Sequence, residues 1–342
     1  MRKLTKKQRL YFYQFCADML DSGIPLYEAI QKLRDEGKSL LGKGFIKKLD
    51  LISERMTESE SVNTVFTDLI PQNELSVIFS SEKSGSLSTG LRGIVEMINY
   101  RKELTVTIVK AVTFPFIMIV LALIVIAGYA VKVFPAFEQV VSVQRWPTVT
   151  YILYNFGTSL YNGLWIYFLV CFVVIYFLLM FAMNNLTGSF RNNILDRIIP
   201  FSIYKKIVCS VFINNLSSML KNKVPINDSL IVLSQNTNRW LYSHIDSMVY
   251  NMKRGDAYKD ALNTGLLGKE EILNVSIYSG LPSFSDVLAA VALKSRKDLA
   301  LAISSLSGLL KSLSTLVLGG CVVWVFIALF ALSDMLSKMT SF

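Results

Sequence analysis

The chain has 342 residues, 52% of them hydrophobic and 18% charged, with a formal net charge of +10. So large an apolar share suits a membrane protein carrying sizeable polar domains. A nucleic-acid reader is excluded, because the basic residues are spread among acids instead of clustering with aromatics on one face. Attraction to anionic lipid headgroups and acidic protein surfaces suits that charge better.

In chain order, Thr5 is placed to cap a first helix on which Phe12, Phe15, Cys16, Met19 and Leu20 form one apolar stripe. Gly23-Ile24-Pro25 breaks it: glycine accepts positive φ at a helix end, and proline suits the first turn of the next helix. That helix carries Leu26, Ala29, Ile30 and Leu33 and stops near Gly37; a third carries Phe45, Ile46, Leu49, Ile52 and Met56. Short helices flank Pro71 and the Ser84-Gly85 turn, and the last runs without pause from Leu91 into an apolar stretch. No period-two alternation persists, so residues 1–110 form an all-helical domain.

Residues 111–131 carry no charge, and about twelve of them are Val, Ile, Leu or Phe, each favouring insertion by about 0.3–0.6 kcal/mol at mid-bilayer. At about 1.5 Å per residue the stretch matches a hydrocarbon core of about 30 Å. Pro115 within it removes an N–H and predicts a kink, and Gly128 leaves room for a neighbouring helix. Residues 132–163 read as a short loop with Pro135, Trp146 and Pro147. A second span, 164–183, is apolar or aromatic throughout. A third, 313–332, has hydroxyls only near its start, contains Gly319-Gly320, and leaves a tail at 333–342.

Of the 35 Lys and Arg, 17 precede residue 111 and 15 fall in 184–312. The segment 132–163 has only Lys132 and Arg145, and the tail only Lys338. The positive-inside rule therefore places both polar domains and the N-terminus in the cytoplasm, with the loop and the C-terminus in the periplasm.

Residues 184–312 repeat the first domain. Two hundred positions on, Phe12, Met19, Leu20 and Pro25 meet the identical Phe212, Met219, Leu220 and Pro225, and Leu33 meets Leu233. Further along, Ser84-Gly85 meets Ser279-Gly280. Two stripes, a proline and a later Ser-Gly turn in the same order indicate duplication. The copies diverge where Gly23 becomes Lys223, Phe15 becomes Asn215 and Glu82 becomes Ile277, so they share a scaffold and present different surfaces. The fold expected is an all-α membrane protein with two homologous cytoplasmic helical bundles, of about six helices each, and three transmembrane helices.

Chemistry-bearing motifs are sparse. Gly42-Lys43-Gly44 and Gly268-Lys269-Glu270 lack the flanking pattern of a phosphate-cradling loop and read as turns. His244 is the only histidine, which excludes a two-histidine relay or a His-based metal site; it reads as a surface or half-buried polar residue. Cys16, Cys171, Cys209 and Cys321 form no CxxC pair and read as small hydrophobes. No carboxylate lies within a span, against a transporter.

Taken in order, FCADMLDSGIPLYEAI, SSEKSGSL, KAVTFPF, VFPAFEQV with WPT, RIIPFSIYKKI and SSMLKNKVPINDSL cover nearly the whole chain. Their order and spacing resemble the inner-membrane platform proteins of type IV pilus and type II secretion machines, the PilC/GspF family, and among them the divergent members of type IVb pilus systems. Two features depart from the family pattern: SIYSGLPSF lacks the acid usual before its Ser-Gly, and the third span lacks the proline commonly ahead of it. The resemblance implies a non-catalytic protein of the bacterial inner membrane without cofactor. It would couple a cytoplasmic hexameric ATPase to the extraction of pilin or pseudopilin subunits, beside other assembly proteins and further copies of itself. A membrane enzyme or carrier with a cytosolic site is the alternative. Under the family reading the acid-rich first domain, with Glu58, Glu60, Glu74 and Glu82, is the expected ATPase-facing surface, and the glycines of the spans the pilin-facing one.

Overall fold

The computed structural model describes residues 3–38, 41–58, 62–235, 237–278 and 284–340, among which only helices and turns occur. The first repeat is built from α1 (Lys6–Asp21), α2 (Leu26–Gly37), α3 (Lys43–Glu58), α4 (Val62–Phe66), α5 (Gln72–Lys83) and the start of α6 (Leu87–Lys132). Then come α7 (Phe134–Glu138), α8 (Thr148–Ser159), α9 (Trp165–Asn185) and α10 (Ser189–Asn193). The second repeat follows the order of the first: α11 (Phe201–Lys221), α12 (Ile226–Ser234), α13 (Arg239–Lys253), α14 (Tyr258–Leu262), α15 (Lys269–Tyr278) and the start of α16 (Phe284–Thr340).

The same local devices shape both copies. In the first, Thr5 and Gln8 form a reciprocal capping box, Thr5 accepting the Gln8 N–H at 3.3 Å and Gln8 accepting the Thr5 N–H at 3.0 Å. The end of α1 is a Schellman turn, with Gly23 N–H bonded to Leu20 O at 3.0 Å and Ile24 N–H to Met19 O at 3.0 Å. The end of α11 repeats it through Lys223 to Leu220 at 2.9 Å and Val224 to Met219 at 3.0 Å. Pro25 and Pro225 then stand at the N-caps of α2 and α12, where a missing N–H costs nothing.

The chain divides into two compact units: Met1–Leu104 with Met183–Leu299, and Thr105–Ala182 with Ala300–Phe342. Most of 1–110 and of 184–312 lies in the first of these units. Phe12, Tyr13, Cys16, Ile30, Leu49, Phe66 and Ile78 fill the first repeat's core, and Met219 and Val224 of the second repeat are buried within it. The second repeat's own core gathers Phe212, Leu216, Leu230, Trp240, Ile245, Met248 and Leu288.

The other unit holds the apolar lengths of three helical runs long and apolar enough to cross a membrane: α6, α8 with α9, and α16. The segment expected as a loop, 132–163, is largely helical. A π-turn, Leu160–Leu164, with φ 114° at Gly163, joins α8 to α9. The reason is packing: Trp146, Leu153 and Leu160 bury themselves with Ile126, Ala130, Phe134, Val325, Ala328 and Leu332. Thr150 donates to the Ala328 carbonyl at 2.8 Å inside that core. By contrast, of all the residues of α9 only Met183 is buried, so its apolar surface is left for lipid or a partner helix.

The shared turn yields a test. Gly23 has φ +79° and Lys223 has φ +60° at the same position, a region that costs an L-residue about 1–2 kcal/mol. Lys223 is exposed, so replacing it loses no packing. Lys223→Gly should raise stability by about 1 kcal/mol, or Tm by about 2–4 °C, in the purified full chain. A lower Tm would contradict this account of the turn.

Candidate functional site

The helix α11 and its C-cap carry buried polar residues, Ser210, Asn214, Asn215, Ser217 and Asn222, and Ser210 and Asn222 meet the first repeat. Tyr100 Oη and Ser210 Oγ lie 2.5 Å apart. Arg296 donates to Asn214 Oδ1 while its guanidinium lies 4.2 Å over the Tyr100 ring. Ser80 Oγ donates to the Asn222 carbonyl at 3.1 Å, and Asn222 Nδ2 to the Ser218 carbonyl at 2.7 Å. Gly93 on α6 permits the approach: a Cβ there would stand 3.0 Å from Ser218 Oγ and 3.1 Å from Asn222 Nδ2. Buried, directional contacts of this kind fix one register between the repeats. Asn215, read from sequence as a surface difference from Phe15, is among these buried residues.

The carboxylates divide. Glu74, expected on a docking surface, is only 5% exposed. Its Oε2 accepts the Tyr13 hydroxyl at 2.8 Å and pairs with Arg9 Nε at 2.9 Å. Burial raises its pKa, with the Arg9 charge and the Tyr13 hydrogen bond opposing. Sequence could not show this because Tyr13 lies beside the apolar stripe, and its partner is 61 residues away. Glu82 is half-buried and accepts the Val62 N–H, whereas Glu58 is exposed at the end of α3. Ser84 caps α5, and Gly85 takes φ +66° in the turn that follows. Glu60, Ser279 and Gly280 lie outside the described residues.

A second buried network belongs to the other repeat. Arg191, 1% exposed, donates to the carbonyls of Met183 at 2.5 Å and Leu186 at 3.1 Å, capping the end of α9. It pairs with Asp196 at 3.3 Å and stacks 4.2 Å over Trp240. His244 meets Trp240 edge to face, with ring centroids 5.0 Å apart, and its Nδ1 is 3.2 Å from Thr264 Oγ1. It is thus buried, beyond the half-buried position expected. Cys16 and Cys209 are buried thiols, and burial pushes Cys209 up to about 12, which keeps it unreactive.

In the apolar unit a Cβ at Gly128, Gly319 or Gly320 would meet nothing within 4 Å. The close helix approach is at Gly157 of α8, where a Cβ would lie 2.9 Å from the Ile126 carbonyl. Pro115 lies within α6, and the Thr113 hydroxyl binds the Val109 carbonyl at 2.7 Å just before it. Among the described residues no group of three or more His, Cys, Asp or Glu side chains is arranged to hold a metal ion.

What decides the family is a match of its model, described as type II secretion system protein F, to both copies, residues 12–135 and 212–332. The chain belongs to that family. It is 40% identical, over 99% of both chains, to the toxin coregulated pilus biosynthesis protein E of Vibrio cholerae serotype O1. It is 23% identical to the type IV pilus assembly protein PilC of Pseudomonas aeruginosa, over 97% of this chain and 92% of that one. The two family segments coincide with the two structural repeats and run on into α6 and α16, so the family's unit is a bundle together with the membrane helix that follows it.

The lone histidine gives a clean titration. Burial lowers its pKa; Lys205 and Arg191 push the same way, against the Thr264 hydrogen bond and Asp196. The native state therefore binds this proton less readily than the unfolded chain, whose imidazole titrates near about 6.5. Its contribution to stability is complete above that value and is lost as pH falls from there toward the depressed native pKa. NMR of histidine-labelled protein should show the one imidazole titrating below 6.5, and His244→Gln should flatten the fall in Tm between about pH 7 and 5. Titration at or above 6.5 would contradict the buried environment.

Proposed function

We propose that this chain is a non-catalytic inner-membrane platform of a pilus machine, coupling a cytoplasmic hexameric ATPase to the withdrawal of pilin subunits from the bilayer. The observation that carries the reading is that each repeat ends in a helix, α6 or α16, continuing unbroken into an apolar run. A rigid bundle continuous with a membrane helix can pass a push or rotation along that helix. The relatives' names support pilus assembly over secretion, and the toxin coregulated pilus relative suits a type IVb system.

In this reading both repeats face the cytoplasm, as the Lys and Arg distribution predicts. Glu58 and Glu60, with Glu82 beside the Ser84-Gly85 turn, remain as the ATPase-facing acids, while Glu74 is committed to Arg9 and Tyr13. Gly128, Gly319 and Gly320, where a Cβ would meet nothing within 4 Å among the described residues, offer places where an outside apolar helix such as that of a pilin can come close. Further copies of the chain and other inner-membrane assembly proteins are the remaining partners of such a platform.

Two experiments test it. A membrane-impermeant thiol reagent applied to intact spheroplasts should label a cysteine placed at Gln144 and spare ones at Lys32 or Lys253. Labelling at either lysine position overturns the topology. Glu58→Lys with Glu82→Gln should cut ATPase pull-down at least tenfold and abolish pilus assembly while leaving the protein inserted. The wild-type association should also weaken with added salt. Normal binding by that variant would move the docking surface elsewhere.

A further inference from the structure

Where α6 and α16 enter their apolar runs, the two helices enclose an open pocket of about 430 Å3. Its polar lining is Thr107 and Lys110 from α6 and Ser304, Ser307 and Lys311 from α16, with no Asp or Glu. Among the described residues neither lysine pairs with a carboxylate, and the three hydroxyls make no hydrogen bond. Lys311 Nζ stands 5.1 Å from the centre of the Phe114 ring, which holds the ammonium against the helix pair. A Cβ at Gly308, on the pocket wall, would meet nothing within 4 Å.

We propose that this pocket binds the phosphate of an anionic phospholipid headgroup. Lys110 directly precedes the uncharged run 111–131, and Lys311 stands just before 313–332. Both ammonium groups therefore belong at headgroup depth, where basic pockets between membrane helices meet lipid phosphates. Two cations beside three hydroxyls that can donate, with no carboxylate in the lining, suit an acceptor-rich, negatively charged group. The volume lies toward the lower end of small-ligand sites, about 300–1,000 Å3, and is ample for a headgroup. A zwitterionic choline headgroup brings its own cation, which the lysines repel; an anionic one does not. Bound there, the lipid would bridge α6 and α16 at the membrane boundary. The inference does not rest on the ATPase or pilin assignments and stands if they fail.

The full chain in phosphatidylcholine nanodiscs with graded phosphatidylglycerol, read by native mass spectrometry of retained lipid, tests this. Lys110→Gln and Lys311→Gln should each weaken the preference for phosphatidylglycerol about fivefold and the pair about twentyfold or more, as expected for one juxtamembrane cation each. Lys132→Gln, at the far end of α6, should leave it unchanged. Gly308→Phe, which fills the pocket and keeps both charges, should also lose the preference, and it serves if the double variant fails to fold. An unchanged preference in both the double variant and Gly308→Phe overturns the site. Inorganic phosphate titrated into lipid-free detergent samples separates the sources: lysine-dependent phosphate binding without any phosphatidylglycerol preference overturns the lipid assignment in favour of a soluble phosphate.

Discussion

A glycine at position 93 brings α6 close enough to the end of α11 for Ser218 and Asn222 to lie against its backbone, and the polar unit depends on that approach. Around it the two repeats are joined by hydrogen bonds between Tyr100 and Ser210 and from Ser80 to the Asn222 carbonyl, while Arg296 of the second repeat holds Asn214 and lies over the Tyr100 ring of the first. Asn215 and Asn222 each keep a buried side-chain oxygen without a hydrogen-bond partner, a cost of about 1–3 kcal/mol apiece. Apolar packing offsets it, since Met219 and Val224 are buried in the first repeat's core. The result is a joint that is specific in register, because sliding it would strand more polar groups.

Duplication preserved backbone devices and changed the buried chemistry. Both copies end their first helix in the same Schellman turn and begin the next at a proline, even though the second must place Lys223 in a glycine conformation. Within that common frame the first copy buries Tyr13 with Glu74 and Arg9. The second buries Trp240 with Arg191 and His244. Turn geometry is set by main-chain hydrogen bonds and tolerates exchange of exposed side chains, whereas a buried polar network must be satisfied as a set and so diverges as a set.

The apolar unit is uneven in what it buries. Helices α6, α8 and α16 share a core closed by Gly157 and by the Thr150 bond to the Ala328 carbonyl. Helix α9 contributes almost nothing to that core, and Gly128, Gly319 and Gly320 have open space beside them. Without a hydrophobic force between helices in lipid, exposed small residues and a bare apolar helix are where additional helices can gain packing.

Periodicity, breakers and charge in the sequence alone determined the helical class, the repeat, the proline and glycine turns and the apolar runs, because each depends on neighbours within a few residues. The capping role of Thr5, the ends of α1 and α2 and the unbroken passage of α6 into its apolar run were all legible in this way. Tertiary structure decided what rests on distant partners. Glu74 is withdrawn from the surface by Tyr13 and Arg9, and Asn215 on α11 and Asn222 at its C-cap lie buried despite their polarity. The segment 132–163 becomes helix because Trp146 and Leu153 find Ala130 and Val325 across the unit. Within this unit close approach falls to Gly157, and Lys110 and Lys311 line one pocket from positions about two hundred residues apart. A one-dimensional pattern gives each residue's preference for burial, but which preference is overruled depends on the partner that the fold brings to it.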